Sequence, residues 1–250
     1  LAAEIANNAM GDIDMAMGSS IHAGDNPITL FAIGDIRIAE LASDLPHDDG
    51  VAILVTSADG DILDSGDFFE EFALRAESEG YYGEGDGDAD LLAANGEVVL
   101  IAPSGHIGEG DETVDPLEIE AGRLTAWTNG GNQYLTVLSD LDAFDLDAVD
   151  GYIELMTPAF DFLLLDDDDG LYDLIAGSAY IDVFGDLGSP SPLAHVDQGN
   201  ANAVDFKIDS FDPESDLFVA GSDYSVLNAD PIDVTVDAAP ADDDAFVVST

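Results

Sequence analysis

The chain has 250 residues, 46% of them apolar, and sets 55 acidic residues against four basic ones for a formal charge of −51. Phosphate recognition draws on lysine and arginine, and Arg37, Arg75, Arg123 and Lys207 are the whole supply, so neither nucleic acid nor an anionic lipid surface is an expected partner. Without cysteine there is no disulfide framework or thiolate metal site, and no apolar run is long enough to span a bilayer.

Self-repulsion at this charge density opposes compaction unless ions screen it, so the protein is expected to need salt or divalent cations. The chain opens at Leu1 without an initiator methionine or a basic leader. It reads as a mature product or a piece of something longer.

Residues 1–50 hold short alternating segments, Ile13/Met15/Met17, Ile21, Ile28/Leu30 and Ile36/Ile38, separated by glycine-rich turns. Alternation at period two is the pattern of half-buried strands. Val51 to Thr56 is a continuous apolar run, which fits a strand covered on both faces.

The next segment supports two readings. Asp67 as an N-cap with Glu70 three residues on, Phe68, Phe69, Phe72 and Ala76 on one face and Gly80 as a stop predict a short helix over 68–79. Phe72, Leu74 and Ala76 also fit one more alternating strand. Tyr81 to Asp90 is a glycine-acid loop, and over residues 91–187 the strand rhythm is at its most regular.

One phrase recurs: Gly151-Tyr152-Ile153-Glu154-Leu155-Met156-Thr157, with Ile153 and Leu155 on one face and Glu154 and Met156 on the other. Glycines opening such phrases stand at 11, 34, 60, 96, 122 and 151, at intervals of 23, 26, 36, 26 and 29. An irregular period in the twenties predicts an all-β fold, a right-handed parallel β-helix (solenoid) with inserted acidic loops. A β-sandwich is the alternative.

Gly188-Ser189-Pro190-Ser191-Pro192 marks an expected boundary. Residues 1–187 form the solenoid coils. Residues 188–250 are a β-rich capping segment or the start of a second β-module, ending in a mobile acidic tail.

The most site-like motif is Asp86, Asp88 and Asp90 with Glu97, carboxylates at positions 1, 3, 5 and 12 of a calcium loop. Leu91 stands where such a loop needs glycine, so a looser Ca2+ site or a solvated acidic loop is the better description. The acid runs Asp166 to Asp169 and Asp242 to Asp244 point to a diffuse cation atmosphere. His22, His47, His106 and His195 have no shared zinc spacing. Trp127 and Tyr81/Tyr82 are aromatics able to stack on sugar rings, though packing in the core or on a strand face is the better description. No nucleophile elbow, phosphate loop or dinucleotide fingerprint occurs, and no catalytic residue is nominated.

The phrases Gly11-Asp12-Ile13-Asp14-Met15, Gly60-Asp61-Ile62, Gly122-Arg123-Leu124-Thr125-Ala126 and Gly151-Tyr152-Ile153-Glu154-Leu155 resemble the Gly-x-Ile-x-Leu repeats of filamentous-haemagglutinin-like surface proteins, over about residues 5–187. The resemblance implies a fibrous stalk of a secreted adhesin or giant surface protein, with no catalytic residues to carry over. The expected function is a structural or adhesive extracellular segment at the cell surface, associating with other copies or neighbouring segments in a cation-dependent way. A carbohydrate-binding or polysaccharide-degrading β-helix and a halophilic soluble β-protein are the alternatives.

Overall fold

The computed structural model describes residues 3–6, 11–65, 89–109, 116–149, 151–157, 174–176, 178–183, 194–197, 206–210, 216–217, 219–221, 224–227 and 233–234. The short alternating segments become strands β1 (Ala3–Ala6), β2 (Ile13–Asp14), β3 (Ile21–His22), β4 (Ile28–Ala32), β5 (Ile36–Ile38) and β6 (Leu41–Ala42). After them come β7 (Val51–Ser57), β8 (Ile62–Asp64), β9 (Leu91–Ala102), β10 (Leu117–Thr128), β11 (Gln133–Val137), β12 (Ala143–Asp147) and β13 (Tyr152–Thr157). The remainder are β14 (Leu174–Ile175), β15 (Ser178–Val183), β16 (Ala194–Asp197), β17 (Phe206–Ser210), β18 (Asp216–Leu217), β19 (Val219–Gly221), β20 (Tyr224–Leu227) and β21 (Asp233–Val234).

The protein is nearly all β, and every described strand pairing is parallel. A sandwich of hairpins pairs sequential strands antiparallel, and no such pairing occurs among the described residues. Nor does any described sheet close on itself. The only helical turn among them is a 3-10 turn at His47–Asp49. The segment 68–79, for which a helix is one expectation, lies outside the described residues.

The chain visits a small set of ladders in turn. One runs β1-β4-β7-β9-β10-β12-β14-β16-β19. A second runs β2-β5-β8 and, through bridges at Ile107, on to β11-β13-β15-β17-β20. A third joins β3 and β6 to the first residues of β9, which pair in turn with β10. Both long ladders run past residue 188.

Parallel register stacks like residues on like. Ile28, Ile53, Val98, Leu124 and Phe144 form one buried row, and Leu30, Val55, Leu100, Ala126, Leu146 and Leu174 another. Each such aliphatic side chain contributes about 1.5–3 kcal/mol on burial. The second ladder stacks Ile36, Ile62, Ile107, Gln133, Ile153 and Ala179. Gln133 interrupts this isoleucine row while fully buried, and its Nε2 donates to the carbonyls of Ala126 and Asp147 at 3.1 and 2.9 Å.

The glycine phrases divide into two sets. Gly11, Gly34, Gly60, Gly105, Gly131 and Gly151 open the second-ladder segments, whereas Gly96 and Gly122 lie at irregularities inside β9 and β10. In the first set the residue after each glycine joins a column of hydrogen bonds between turns. The N–H of Asp35 donates to Asp12 Oδ1 at 3.1 Å and that of Asp61 to Asp35 Oδ1 at 3.1 Å. His106 N–H donates to Asp61 Oδ1 at 2.7 Å, Asn132 N–H to His106 Nδ1 at 2.8 Å, and Tyr152 N–H to Asn132 Oδ1 at 3.1 Å. The rungs join residues 23, 26, 45, 26 and 20 apart in sequence. Glycine is required because successive turns touch: a Cβ on Gly131 would run into the Gly105 carbonyl, and one on Gly151 into the Gly131 carbonyl.

Two substitutions separate these effects. Gly131→Ala is expected to lower stability in urea melts by about 1–3 kcal/mol through overpacking, whereas Gly122→Ala, whose nearest neighbour would be 3.2 Å away, should lose less than half as much. Asn132→Ala removes the acceptor for the Tyr152 N–H and should cost about 1 kcal/mol, while Asn132→Asp, which keeps that acceptor, should melt close to the parent protein.

Candidate functional site

Of the four carboxylates expected to form a calcium loop, Asp86 and Asp88 lie outside the described residues. Asp90 directly precedes β9, and Glu97 lies within that strand, in register with Val51 and Arg123. Asp90 groups with Asp64 and Glu118, one carboxylate oxygen of each lying within 4.8 Å of the others. Glu97 is not part of that group.

Backbone pairing between ladders assembles the cluster. Asp64 ends β8 in register with Ile38. The Asp90 carbonyl accepts from Leu41 N–H at 2.7 Å, and its own N–H donates to the Glu118 carbonyl at 3.0 Å. Glu118 N–H returns a bond to Asp90 Oδ2 at 2.9 Å. Asp90 and Glu118 are buried, at 4% and 1% exposure, while Asp64 keeps some contact with solvent.

Three carboxylates this close cannot all stay charged in a low-dielectric interior without compensation. Burial first, then the charges of Asp64 and Glu118 and a side-chain hydrogen bond to Glu118, hold the Asp90 carboxyl well above the usual carboxylate range. The Glu118 N–H works in the opposite direction. A proton held by Asp90 therefore leaves the Asp90–Glu118 pair with a single negative charge. A hard cation is the other chemical option, and at one oxygen each the three residues would supply at most half of the six to eight oxygens that calcium takes.

Other chemistry-bearing side chains have local partners. His22 Nε2 lies 2.8 Å from Glu40 Oε1 and His47 Nδ1 3.2 Å from Asp48 Oδ1, while His106 is a rung of the turn column. His195 falls in β16, whose side chains are not described. No histidine enters the acidic group among the described residues. Arg37 reaches Asp14 at 3.6 Å and Asp35 at 3.8 Å.

On the outward side of β11 and β13, Tyr134 and Tyr152 pack with ring centroids 5.9 Å apart and planes at 59°. The Tyr152 hydroxyl donates to Glu154 Oε2 at 3.2 Å. Burial raises the Tyr152 phenol above its ordinary range, reinforced by the Glu154 charge, and burial likewise raises Glu154 against the effect of that hydrogen bond. Trp127 lies on β10, partly exposed, and Tyr81 and Tyr82 lie outside the described residues.

Comparison with protein-family models, with curated proteins and with solved structures finds no match to this chain. Among the described residues, no helix is long and apolar enough to cross a membrane.

The raised Asp90 carboxyl gives a signed pH dependence. An unfolded aspartate titrates near pH 3.9, and the folded group holds its proton to higher pH, so stability falls as pH rises from about 4 through the folded value. Asp90→Asn still accepts from the Glu118 N–H and donates to the Glu118 carboxylate. It should melt above the parent protein at pH 7, by about 1.4 kcal/mol for each unit by which the carboxyl is raised, with the gap closing toward pH 4. Calcium added at pH 7 separates the two modes of neutralisation, because a rise in Tm confined to the parent protein would assign a cation, not a proton, to the cluster.

Proposed function

We propose that this chain is a structural segment of a surface-displayed β-solenoid, a right-handed parallel β-helix that extends a stack and presents an anionic exterior. On this reading it binds and associates rather than catalyses. The observation that carries it is the column of turn-to-turn hydrogen bonds from Asp12 to Tyr152, in which each turn's short side chain holds the next turn's backbone. Successive coils related in this way form a quasi-one-dimensional array, stable through contacts between neighbours.

Further support comes from the resemblance of the Gly-x-Ile-x-Leu phrases to those of filamentous-haemagglutinin-like surface proteins. An extracellular setting supplies the ions that a charge of −51 requires. A brine would supply them too, so a halophilic β-protein shares this expectation. Carbohydrate binding is a second reading, and the Tyr134, Tyr152 and Glu154 group speaks for it. The two rings pack against each other at 59° and do not offer a common flat face to a sugar, so the structural reading is preferred.

Small-angle scattering in salt tests the architecture: a solenoid grows by about 4.8 Å per coil and scatters as an elongated particle, and a spherical profile would sink the reading. Salt dependence tests the electrostatics. Lowering NaCl from about 1 M to about 0.01 M lengthens the Debye length from about 3 to about 30 Å and should lower the melting temperature followed by circular dichroism. An unchanged melting temperature in dilute buffer with chelator would remove the requirement for ions.

A further inference from the structure

We propose that the outward face of β4, β7, β9 and β10 is the surface on which a second copy of this chain docks. This inference rests on the reading of the chain as an associating structural segment and names where the association occurs. One outward row, in register across the four strands, is Phe31, Thr56, Ile101 and Trp127. The adjacent row is Thr29, Leu54, Val99 and Thr125. Phe31 is 40% exposed and the other seven are partly exposed, while the residues alternating with them point into the core.

In a chain with 55 acidic residues, neither row carries a charge. The acids resume at the rim: Asp145 and Asp147 stand in register with Thr125 and Trp127, and Glu97 precedes Val99 by two residues. An uncharged, partly apolar patch with a polar rim is the anatomy of a protein contact.

Charge selects the occupant. A cationic partner would be recognised through carboxylates, and among the described residues these two rows offer none. Two copies at −51 each repel, least of all where their facing surfaces are uncharged, and salt that shortens the Debye length to a few ångströms removes most of what is left. Area sets the strength. Four strands at about 4.8 Å spacing and five residues at about 3.3 Å each give about 300 Å², well under the roughly 800 Å² per partner of a stable complex. The contact is therefore weak, reversible and two-fold symmetric, and it gains strength only when many such faces act together.

The face carries its own probe, because Trp127 is the only tryptophan in the chain. Sedimentation velocity of the full chain over a wide concentration range in about 1 M NaCl, where the Debye length is about 3 Å, should show reversible dimers together with a blue shift of Trp127 emission. Both signals should vanish in about 0.01 M NaCl, where that length is about 30 Å. Leu54→Asp places a charge in the centre of the face and should weaken dimerisation more than about tenfold through the cost of burying it. Thr56→Glu, a milder change at an outward site, should do the same with an unaltered circular dichroism spectrum. A parent protein that stays monomeric in high salt, or a Thr56→Glu variant that dimerises equally well, overturns the proposal. So does a Trp127 shift produced by a soluble neutral β-glucan in a protein that remains monomeric, which would give the face to sugar. Elongated scattering retained without dimers rejects this inference alone, whereas loss of elongated scattering rejects the structural reading first.

Discussion

Close approach of one turn to the turn beneath it is the constraint on which the rest of the structure depends. Where the Gly131 backbone meets the Gly105 carbonyl there is no room for a side chain, and neighbouring backbone leaves none at Gly60, Gly105 and Gly151 either, so glycine must open those segments. The residue after it then faces a neighbouring N–H at hydrogen-bond distance and needs a short acceptor. Aspartate serves at 12, 35 and 61, the histidine Nδ1 at 106 and asparagine at 132. Once these turns are fixed, the strands that leave them are in register, and side chains of matching character stack in the interior. A one-residue slip would put Glu154 where Ile153 now sits.

Charge is distributed around that geometry. Among the described residues, inward positions are almost wholly aliphatic, and most acids occupy turns and outward positions where water and ions reach them. Two departures stand out physically. At Asp64, Asp90 and Glu118 the pairing of ladders brings carboxylates together with two of them buried, and the group must take up a proton or a cation. On the outward face of β4, β7, β9 and β10 the acids are missing, and threonine and apolar residues take their place.

Much of the strand pattern was legible in the sequence, because alternation reports burial directly: Ile153 and Leu155 are fully buried and Glu154 is not. Met156, expected on the side of Glu154, is covered too, at 6% exposure. The glycine phrases pointed to turns, but spacing alone merged two corners, taking Gly96 and Gly122 with a column to which Gly105 and Gly131 belong. Gly105-His106 and Gly131-Asn132 were obscured because neither looks like Gly-Asp-Ile, although each places an acceptor at the same point. The acidic cluster was missed for a related reason. Attention to sequence neighbours placed Asp90 with Asp86, Asp88 and Glu97, whereas parallel ladders bring together residues from successive strands. Asp64, Asp90 and Glu118 are separated by 26 and 28 residues, and aligning the successive parallel strands would have brought them together.

The rung between Asp61 and His106 spans 45 residues where its neighbours span 20 to 26, and yet it forms at 2.7 Å like the others. Closing a flexible loop of twice the length adds only about 0.6 kcal/mol, less than a single hydrogen bond commonly returns. The column thus registers which turns are adjacent in space and is nearly indifferent to how much chain runs between them. Such a scaffold can acquire, lengthen or exchange an excursion between two strands while the neighbouring parallel strands keep their register, so novelty enters the sequence locally and leaves the sheet intact.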